Sequence, residues 1–182
     1  SKYLKRLFNG EPIRFKGTQD NKVGNLEILS ENTVKCIGKI LNKEYTDIRV
    51  AEHKLYRNMG TSVYMKNKYE MGYSEANAGS GEIAVVQLVR RIEKARDYSL
   101  VLLDEPEVSL HPGAQENLKE YLLEAIKTKK LQVVISTHSP TLIKGLPSSA
   151  IKLFKTNEYG KFYVQENINY EERLKLLEEG WI

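Results

Sequence analysis

Two short apolar runs separated by a helical stretch constrain this fold more than any other feature. They are SLVLL at 99–103 and LQVVIS at 131–136, and such unbroken runs are typical of parallel strands buried on both faces. The stretch between them begins at Pro112, a residue suited to a first helical turn. Its inner face is formed by Leu118, Leu122, Ala125 and Ile126. We therefore predict a right-handed crossover of strand, helix and strand.

An antiparallel meander is predicted ahead of this crossover. β-Branched and aromatic residues dominate TDIRVAEHKLY, TSVYMKN and YEMGY, which are separated by short turns. A short amphipathic helix is expected to begin at Ser30, and a second helix over 82–95. Residues 1–29 show no sustained period and are interpreted as irregular.

The chain is expected to have two parts. Residues 1–150 form the α/β part, with the motifs that suggest chemistry lying within 78–140. Residues 151–182 are predicted to form a terminal hairpin around NEYG, followed by the short charged helix NYEERLKLLEEG.

Composition excludes several classes of protein. The net charge of +4 comes from 28 basic and 24 acidic residues spread along the chain, which permits nucleic-acid contact without demanding it. Cys36 is the single cysteine, so neither a disulfide framework nor a cysteine-built zinc site can form within the chain. No apolar run approaches the roughly eighteen residues of a membrane span, and no secretory opening is present. We expect no membrane partner and a cytoplasmic setting.

Two adjacent carboxylates follow the first apolar run. Asp104 and Glu105 would stand at the carboxyl edge of the sheet, where open α/β sheets bind ligands. Adjacent side chains at a strand end point in different directions, so one carboxylate could serve a magnesium ion while the other addresses a water molecule. The alternative is that the pair only caps the following turn.

Two further stretches could contact a ligand bound at this edge of the sheet. Ser136, Thr137 and His138 emerge where the second strand ends, so the histidine can reach the same crevice, although a lone histidine is more often structural. AGSGE at 78–82 places glycines before a helix, where backbone amides and the helix dipole favour an anion. By itself, AGSGE also fits an ordinary turn.

No Gly-x-x-x-x-Gly-Lys-Ser/Thr phosphate loop occurs anywhere in the sequence. The chain also begins without methionine, as would a trimmed chain, a proteolytic piece or the second half of a longer chain. The missing phosphate loop leads us to expect the last of these.

In this order, AGSGE, LVLLDEPEVSLHP and STHSP resemble the second half of an ABC-type ATPase head, over roughly residues 45–147. The resemblance is to the branch of SMC proteins, RecF-like repair ATPases and the OLD-like family, and DEPEVSLHP with STHSP is most similar to the OLD-like members. It implies the C-terminal lobe of a P-loop NTPase fold, with parallel strands, flanking helices and an antiparallel meander.

The resemblance also implies roles for individual residues. Asp104 would be the Walker B aspartate that orders Mg²⁺, Glu105 the general base, and His138 the switch histidine that senses the γ-phosphate. The signature motif would address ATP held by the opposite subunit, through Gly79, Ser80, Gly81 and Glu82. EVSLHP at 107–112 would be the D-loop.

Two positions depart from the family pattern. Gly79 stands where the signature motif usually has a serine and Ser80 stands at the next position, so the usual hydroxyl is missing from its usual place. His111 stands where many relatives carry the D-loop aspartate, although the OLD-like branch tolerates this histidine.

The resemblance implies an ATPase module of a DNA-associated repair or anti-phage system, which binds ATP and Mg²⁺ and dimerises with a second head. Its expected partners include the missing N-terminal half, DNA and a nuclease effector. Arg90 and Arg91 are hypothesised to form an exposed face that meets DNA phosphates or a partner's acids, the alternative being a solvated charged face. A transporter nucleotide-binding domain and a non-hydrolysing, partner-binding lobe are the alternative functions.

Overall fold

The computed structural model describes residues 6–11, 23–53, 60–168 and 170–171. The first half contains β1 (Val23–Ile28), α1 (Glu31–Leu41), β2 (Tyr45–His53), β3 (Gly60–Asn67) and β4 (Gly72–Ser74). The second half contains α2 (Ser80–Lys94), β5 (Leu100–Asp104), α3 (Pro112–Lys129), β6 (Gln132–Ser136), α4 (Pro140–Ile143), β7 (Lys152–Thr156) and β8 (Phe162–Glu166). A 3₁₀ turn covers Ser148–Ala150.

The predicted meander is confirmed, with one strand more than expected. Strands β1 to β4 form an antiparallel sheet in sequence order. The prediction of irregular structure was wrong for 23–28, where VGNLEI pairs with β2 as β1. Glycine and asparagine are poor strand formers, so pairing with a formed neighbour, rather than local propensity, decides the structure there.

The predicted connection of strand, helix and parallel strand is also present. Strands β5 and β6 pair in parallel, with Leu100 opposite Gln132 and Asp104 opposite Ser136, and α3 connects them. Burial on both faces was wrong, however. Val101 and Leu103 pack against the core, whereas Leu102 is 69% exposed and Val134 is 58% exposed. Within the described residues, this pair is covered on one side only.

The main core lies among helices α1, α2 and α3, the sheet of β1 to β4, and the pair β5 and β6. Ile37 of α1, Val86 of α2 and Leu118 of α3 are all fully inaccessible to solvent. Helix α1 begins as predicted at Ser30, whose Oγ accepts a hydrogen bond from Thr33 N at 3.2 Å. Burial of this apolar surface is the main stabilising contribution.

An ion-pair cluster joins α2 to the meander. Arg90 Nε lies 2.5 Å from Glu27 Oε2, and Arg90 Nη2 lies 2.8 Å from Glu52 Oε1. Lys94 binds the same Glu27 carboxylate. The Arg90 side chain is only 12% exposed, so the prediction that Arg90 forms an exposed face for DNA was wrong. Arg91 is exposed.

The terminal hairpin is confirmed as the antiparallel pair β7 and β8. Asn157 closes its turn, since its Oδ1 accepts hydrogen bonds from Tyr159 N and Lys161 N. Nearly all of the predicted terminal helix over 169–180 lies outside the described residues. Among the helices that the structure describes, none combines the length and apolar character required to cross a membrane.

Candidate functional site

The carboxyl ends of β5 and β6 bring three predicted site residues together. Asp104 Oδ1 accepts a hydrogen bond from Ser136 Oγ, and Glu105 N donates to Ser136 O at 3.0 Å. His138 Nε2 lies 3.4 Å from Glu105 Oε1. Because β6 is in register with β5, the two chains leave the sheet side by side and these groups form one exposed polar edge.

The two carboxylates have different partners because the chain turns sharply between them. Glu105 has a left-handed backbone with φ of 42°, which costs a residue with a side chain about 1–2 kcal/mol. The turn is held by Val108 N, which donates to Glu105 O at 3.1 Å. Asp104 therefore stays on Ser136 while Glu105 faces His138. Backbone strain of this kind is typical of functional sites.

The donor set at this edge fits a magnesium ion that is shared with a nucleotide. Among the described residues, no group of three or more His, Cys, Asp or Glu side chains could hold a metal alone. Mg²⁺ commonly takes only one or two protein carboxylates and completes its shell with phosphate oxygens and water. Asp104 offers one such carboxylate, and the hydroxyl oxygen of Ser136 lies beside it.

The predicted signature motif forms a tight turn at the start of α2. Gly79 is the N-cap, and Gly81 lies close to the predicted D-loop, 107–112, for which we keep the name D-loop. A Cβ at Gly81 would be 2.5 Å from Ser109 O. Ser80 is exposed. Gly81 of this turn therefore packs on the D-loop backbone, while Gly79 and Ser80 remain at the surface.

Glu82 faces inward and holds this turn in place. Its Oε1 accepts hydrogen bonds from Tyr45 OH at 2.5 Å and Tyr73 OH at 3.0 Å, and Lys43 Nζ lies 2.9 Å away. Its Oε2 accepts from Gly79 N at 3.0 Å. Burial raises the pKa of Glu82, but these hydrogen bonds outweigh burial and lower the pKa to about 2.

The predicted D-loop histidine is used as a helix cap. His111 Nδ1 accepts a hydrogen bond from Ala114 N at 3.2 Å at the start of α3. The residue is exposed. The cap fixes the orientation of the ring and leaves its other edge toward the surface.

An open groove of about 600 Å³ runs between the predicted signature turn and the carboxylates Asp104 and Glu105. Its lining includes Ser80 of the signature turn, Arg91 of α2, Asp104 and Glu105 of the carboxyl edge, and Ser109 of the D-loop. The exposed apolar side of β5 forms its floor. The groove therefore places the signature turn and the two carboxylates on one surface of the chain.

Sequence reasoning missed two residues that organise the site. Ser136 was treated only as a strand end, although the register of two parallel strands could have placed it opposite Asp104. Glu107 is buried and binds the stretch STHSP, 136–140, which we call the switch loop. No local pattern distinguished Glu107 from a solvated D-loop residue.

We predict that Gly81→Ala destabilises the chain by about 1–3 kcal/mol, because its Cβ would overpack the Ser109 carbonyl. The change is informative because alanine normally stabilises a helix relative to glycine by about 1 kcal/mol. Gly79→Ala is the matched control, since a Cβ there meets nothing closer than Glu82 Oε2 at 3.7 Å. Urea unfolding measures both variants, and equal stability of the two would contradict the packing.

We also predict that Glu82 contributes stability above about pH 4.5 that is lost as the pH falls toward 2. The folded chain holds the pKa of Glu82 at about 2, below its ordinary value of 4.5, so the folded state favours the carboxylate. The stability difference between the parent and Glu82→Gln should therefore shrink as the pH falls. Urea midpoints measured across this range test the prediction, with the exposed Glu158→Gln as control. A difference that does not vary with pH would contradict it.

The sequence of this chain is similar to that of known proteins. Residues 1–144 match the family described as "AAA domain, putative AbiEii toxin, Type IV TA system". Protein ea59 of Escherichia phage lambda is 28% identical over 148 residues, which cover 79% of this chain and 26% of the relative. The Old nuclease of Escherichia phage P2 is 25% identical over 140 residues, which cover 62% of this chain and 23% of the relative. The chain thus spans about a quarter of the length of these relatives.

Solved structures show the same fold. A structure from work on ATP-driven dimerization and DNA-stimulated activation of SMC ATPases matches with a TM-score of 0.56 and 18% identity, covering 82% of this chain and 89% of that one. The Smc head domain of Pyrococcus yayanosii matches with a TM-score of 0.58 and 17% identity, covering 82% and 28%. This chain therefore belongs to the AAA domain family matched over residues 1–144, and it has the fold of SMC ATPase heads.

Proposed function

We propose that this chain supplies the hydrolytic and signature motifs of an ATPase head that closes with a second head around ATP and Mg²⁺. The carboxyl edge carries this proposal, because Asp104 and Glu105 are adjacent in sequence yet have different partners. An arrangement that only capped a turn would not need His138 beside Glu105. The head is proposed to act in a DNA-associated system of repair or anti-phage defence, with DNA and a nuclease as partners of the complete protein.

Each group at the edge has a separate task in the proposed reaction. A bound magnesium ion supplies charge neutralisation at the β- and γ-phosphates, and Asp104 would hold it with Ser136 alongside. Glu105 would accept the proton of the attacking water as general base. His138, 3.4 Å from Glu105, would orient that carboxylate and contact the γ-phosphate. A general base must be held in the correct position before proton transfer, and the strained turn at Glu105 provides this.

The phosphates themselves would be held by a segment outside these 182 residues. The sequence lacks a Gly-x-x-x-x-Gly-Lys-Ser/Thr loop, and such a loop provides the backbone cradle and lysine for the phosphates. Leu100, Leu102 and Val134 expose an apolar sheet face beside the carboxyl edge, which suits coverage by that segment. Covering this face would also bring the phosphate loop next to Asp104.

The second head would be reached through the signature turn. Gly79, Ser80 and Gly81 are proposed to contact the γ-phosphate of ATP on the opposite head. The exposed hydroxyl of Ser80 would replace the hydroxyl that a serine at position 79 would supply. Glu82 would position this turn, since its carboxylate is engaged by Tyr45 and other internal donors. His111, oriented by its helix cap, is proposed to face the partner head from the D-loop.

We predict that Glu105→Gln in the complete ATPase keeps ATP affinity but lowers turnover by on the order of a hundredfold or more, the scale for losing a general base. ATP would then persist between the heads, so the variant should accumulate as an ATP-dependent dimer. Asp104→Ala should instead lose Mg²⁺-dependent binding and the dimer together. Steady-state turnover, nucleotide binding and light scattering measure these outcomes.

Glu158→Gln, in the exposed turn between β7 and β8, is the matched control and should behave as the parent. If Glu105→Gln hydrolyses ATP at the parent rate with unaltered dimerisation, Glu105 is not the general base. If Asp104→Ala binds Mg²⁺ and ATP normally, the metal assignment is wrong.

A further inference from the structure

The carboxylate of Glu107 is buried at the point where the D-loop and the switch loop meet. The residue is 7% exposed. Its Oε1 accepts hydrogen bonds from His138 N at 3.2 Å and from Thr137 Oγ1. Its Oε2 is buried and has no hydrogen-bond partner among the residues that the structure describes. Burying a carboxylate is costly, so apolar packing does not account for a glutamate here.

The backbone of Glu107 connects the same carboxylate to the rest of the site. Glu107 O accepts a hydrogen bond from Leu110 N at 2.9 Å and so closes the D-loop turn. Two residues after Glu107, Ser109 O lies against Gly81 of the signature turn. The main chain of Glu107 thus belongs to the D-loop, while its side chain holds the switch loop.

A second contact secures the switch loop independently. Ser139 Oγ donates to Gln115 Oε1 at 2.6 Å, and Gln115 Nε2 donates to Leu110 O at 2.9 Å. This contact reaches the residue after His138, whereas Glu107 binds the backbone of His138 itself. The two contacts can therefore be removed separately by substitution.

We propose that Glu107 is a positioning residue that fixes the backbone of His138 and thereby holds its imidazole beside Glu105. The inference rests on the proposed function, in which Glu105 and His138 act on the γ-phosphate and its attacking water. A hydrogen bond from an amide to a carboxylate is stronger than one between neutral groups, so it can hold an exposed loop. Misplacing a catalytic group by about 1 Å can cost on the order of a hundredfold in rate.

Amide hydrogen exchange of His138, followed by NMR in this 182-residue chain, tests the contact without requiring ATP hydrolysis. Glu107→Met keeps the length of the side chain but removes the acceptor, so exchange at His138 should be faster by about tenfold or more. Glu107→Gln retains an acceptor oxygen and should give an intermediate rate. Gln115→Met removes only the second contact and should leave the His138 amide near the parent rate.

Turnover in the complete ATPase provides the second readout. Glu107→Met should lower kcat by on the order of tenfold to a hundredfold while changing KM for ATP by less than about threefold, because the side chain of Glu107 is buried. Glu107→Gln should recover much of the lost kcat. A decrease in kcat that only follows the folded fraction of each variant would reduce Glu107 to a structural residue and overturn the proposal.

The exchange result separates this proposal from the proposed function. The positioning role is overturned if the His138 amide of Glu107→Gln exchanges at the parent rate and Glu107→Met either also exchanges at the parent rate or does not fold. If the complete parent protein shows no turnover, the ATPase proposal fails, and accelerated exchange then supports only the contact between Glu107 and the switch loop.

Discussion

The parallel pairing of β5 with β6 is the constraint on which the candidate site depends. The register places Asp104 opposite Ser136, so both chains leave the sheet at the same level. Everything that follows those residues, including the D-loop and the switch loop, begins from this common edge. A shift of one residue would turn Asp104 to the opposite face of the sheet, and the contact with Ser136 would be lost.

The antiparallel meander has a second role, which is to anchor the signature turn. Tyr45 of β2 and Tyr73 of β4 both donate to the carboxylate of Glu82. Arg90 and Glu27 attach α2 to β1 in a separate ion pair. Gly81 touches the D-loop at the same time, so α2 contacts both the meander and the D-loop. The meander, α2 and the carboxyl edge therefore form one connected support for the motifs.

Much of this arrangement could be predicted from local sequence, because apolar runs, caps and turn residues act over a few positions. The crossover, the cap at Ser30 and the NEYG hairpin are examples, and the strand ends correctly predicted a polar edge at Asp104 and His138. The failures all depended on tertiary contacts. Strand β1 forms because β2 pairs with it. Arg90 is largely buried because it forms ion pairs with Glu27 of β1 and Glu52 of β2.

Other features could not be predicted because a sequence pattern does not show which face is covered or which polar group is buried. The run LVLL at 100–103 is apolar throughout, yet Leu102 is exposed while Leu103 packs on the core. Glu82 matched a motif position, but its carboxylate is engaged by Tyr45 and by Gly79 N. The inward direction of that side chain depends on the distant β2 strand, which local spacing cannot show.

In the proposed function, this chain provides the hydrolytic half of a site whose phosphate loop lies on another segment. ATP binding by calorimetry and ATP turnover, measured for this chain, for the phosphate-loop segment and for their mixture, test this division of the site. We predict that the chain alone binds ATP more weakly than micromolar and does not hydrolyse it, because the phosphate cradle is absent. The mixture should bind and hydrolyse ATP. Micromolar affinity of the chain alone, or a mixture no more active than the phosphate-loop segment, would contradict the claim.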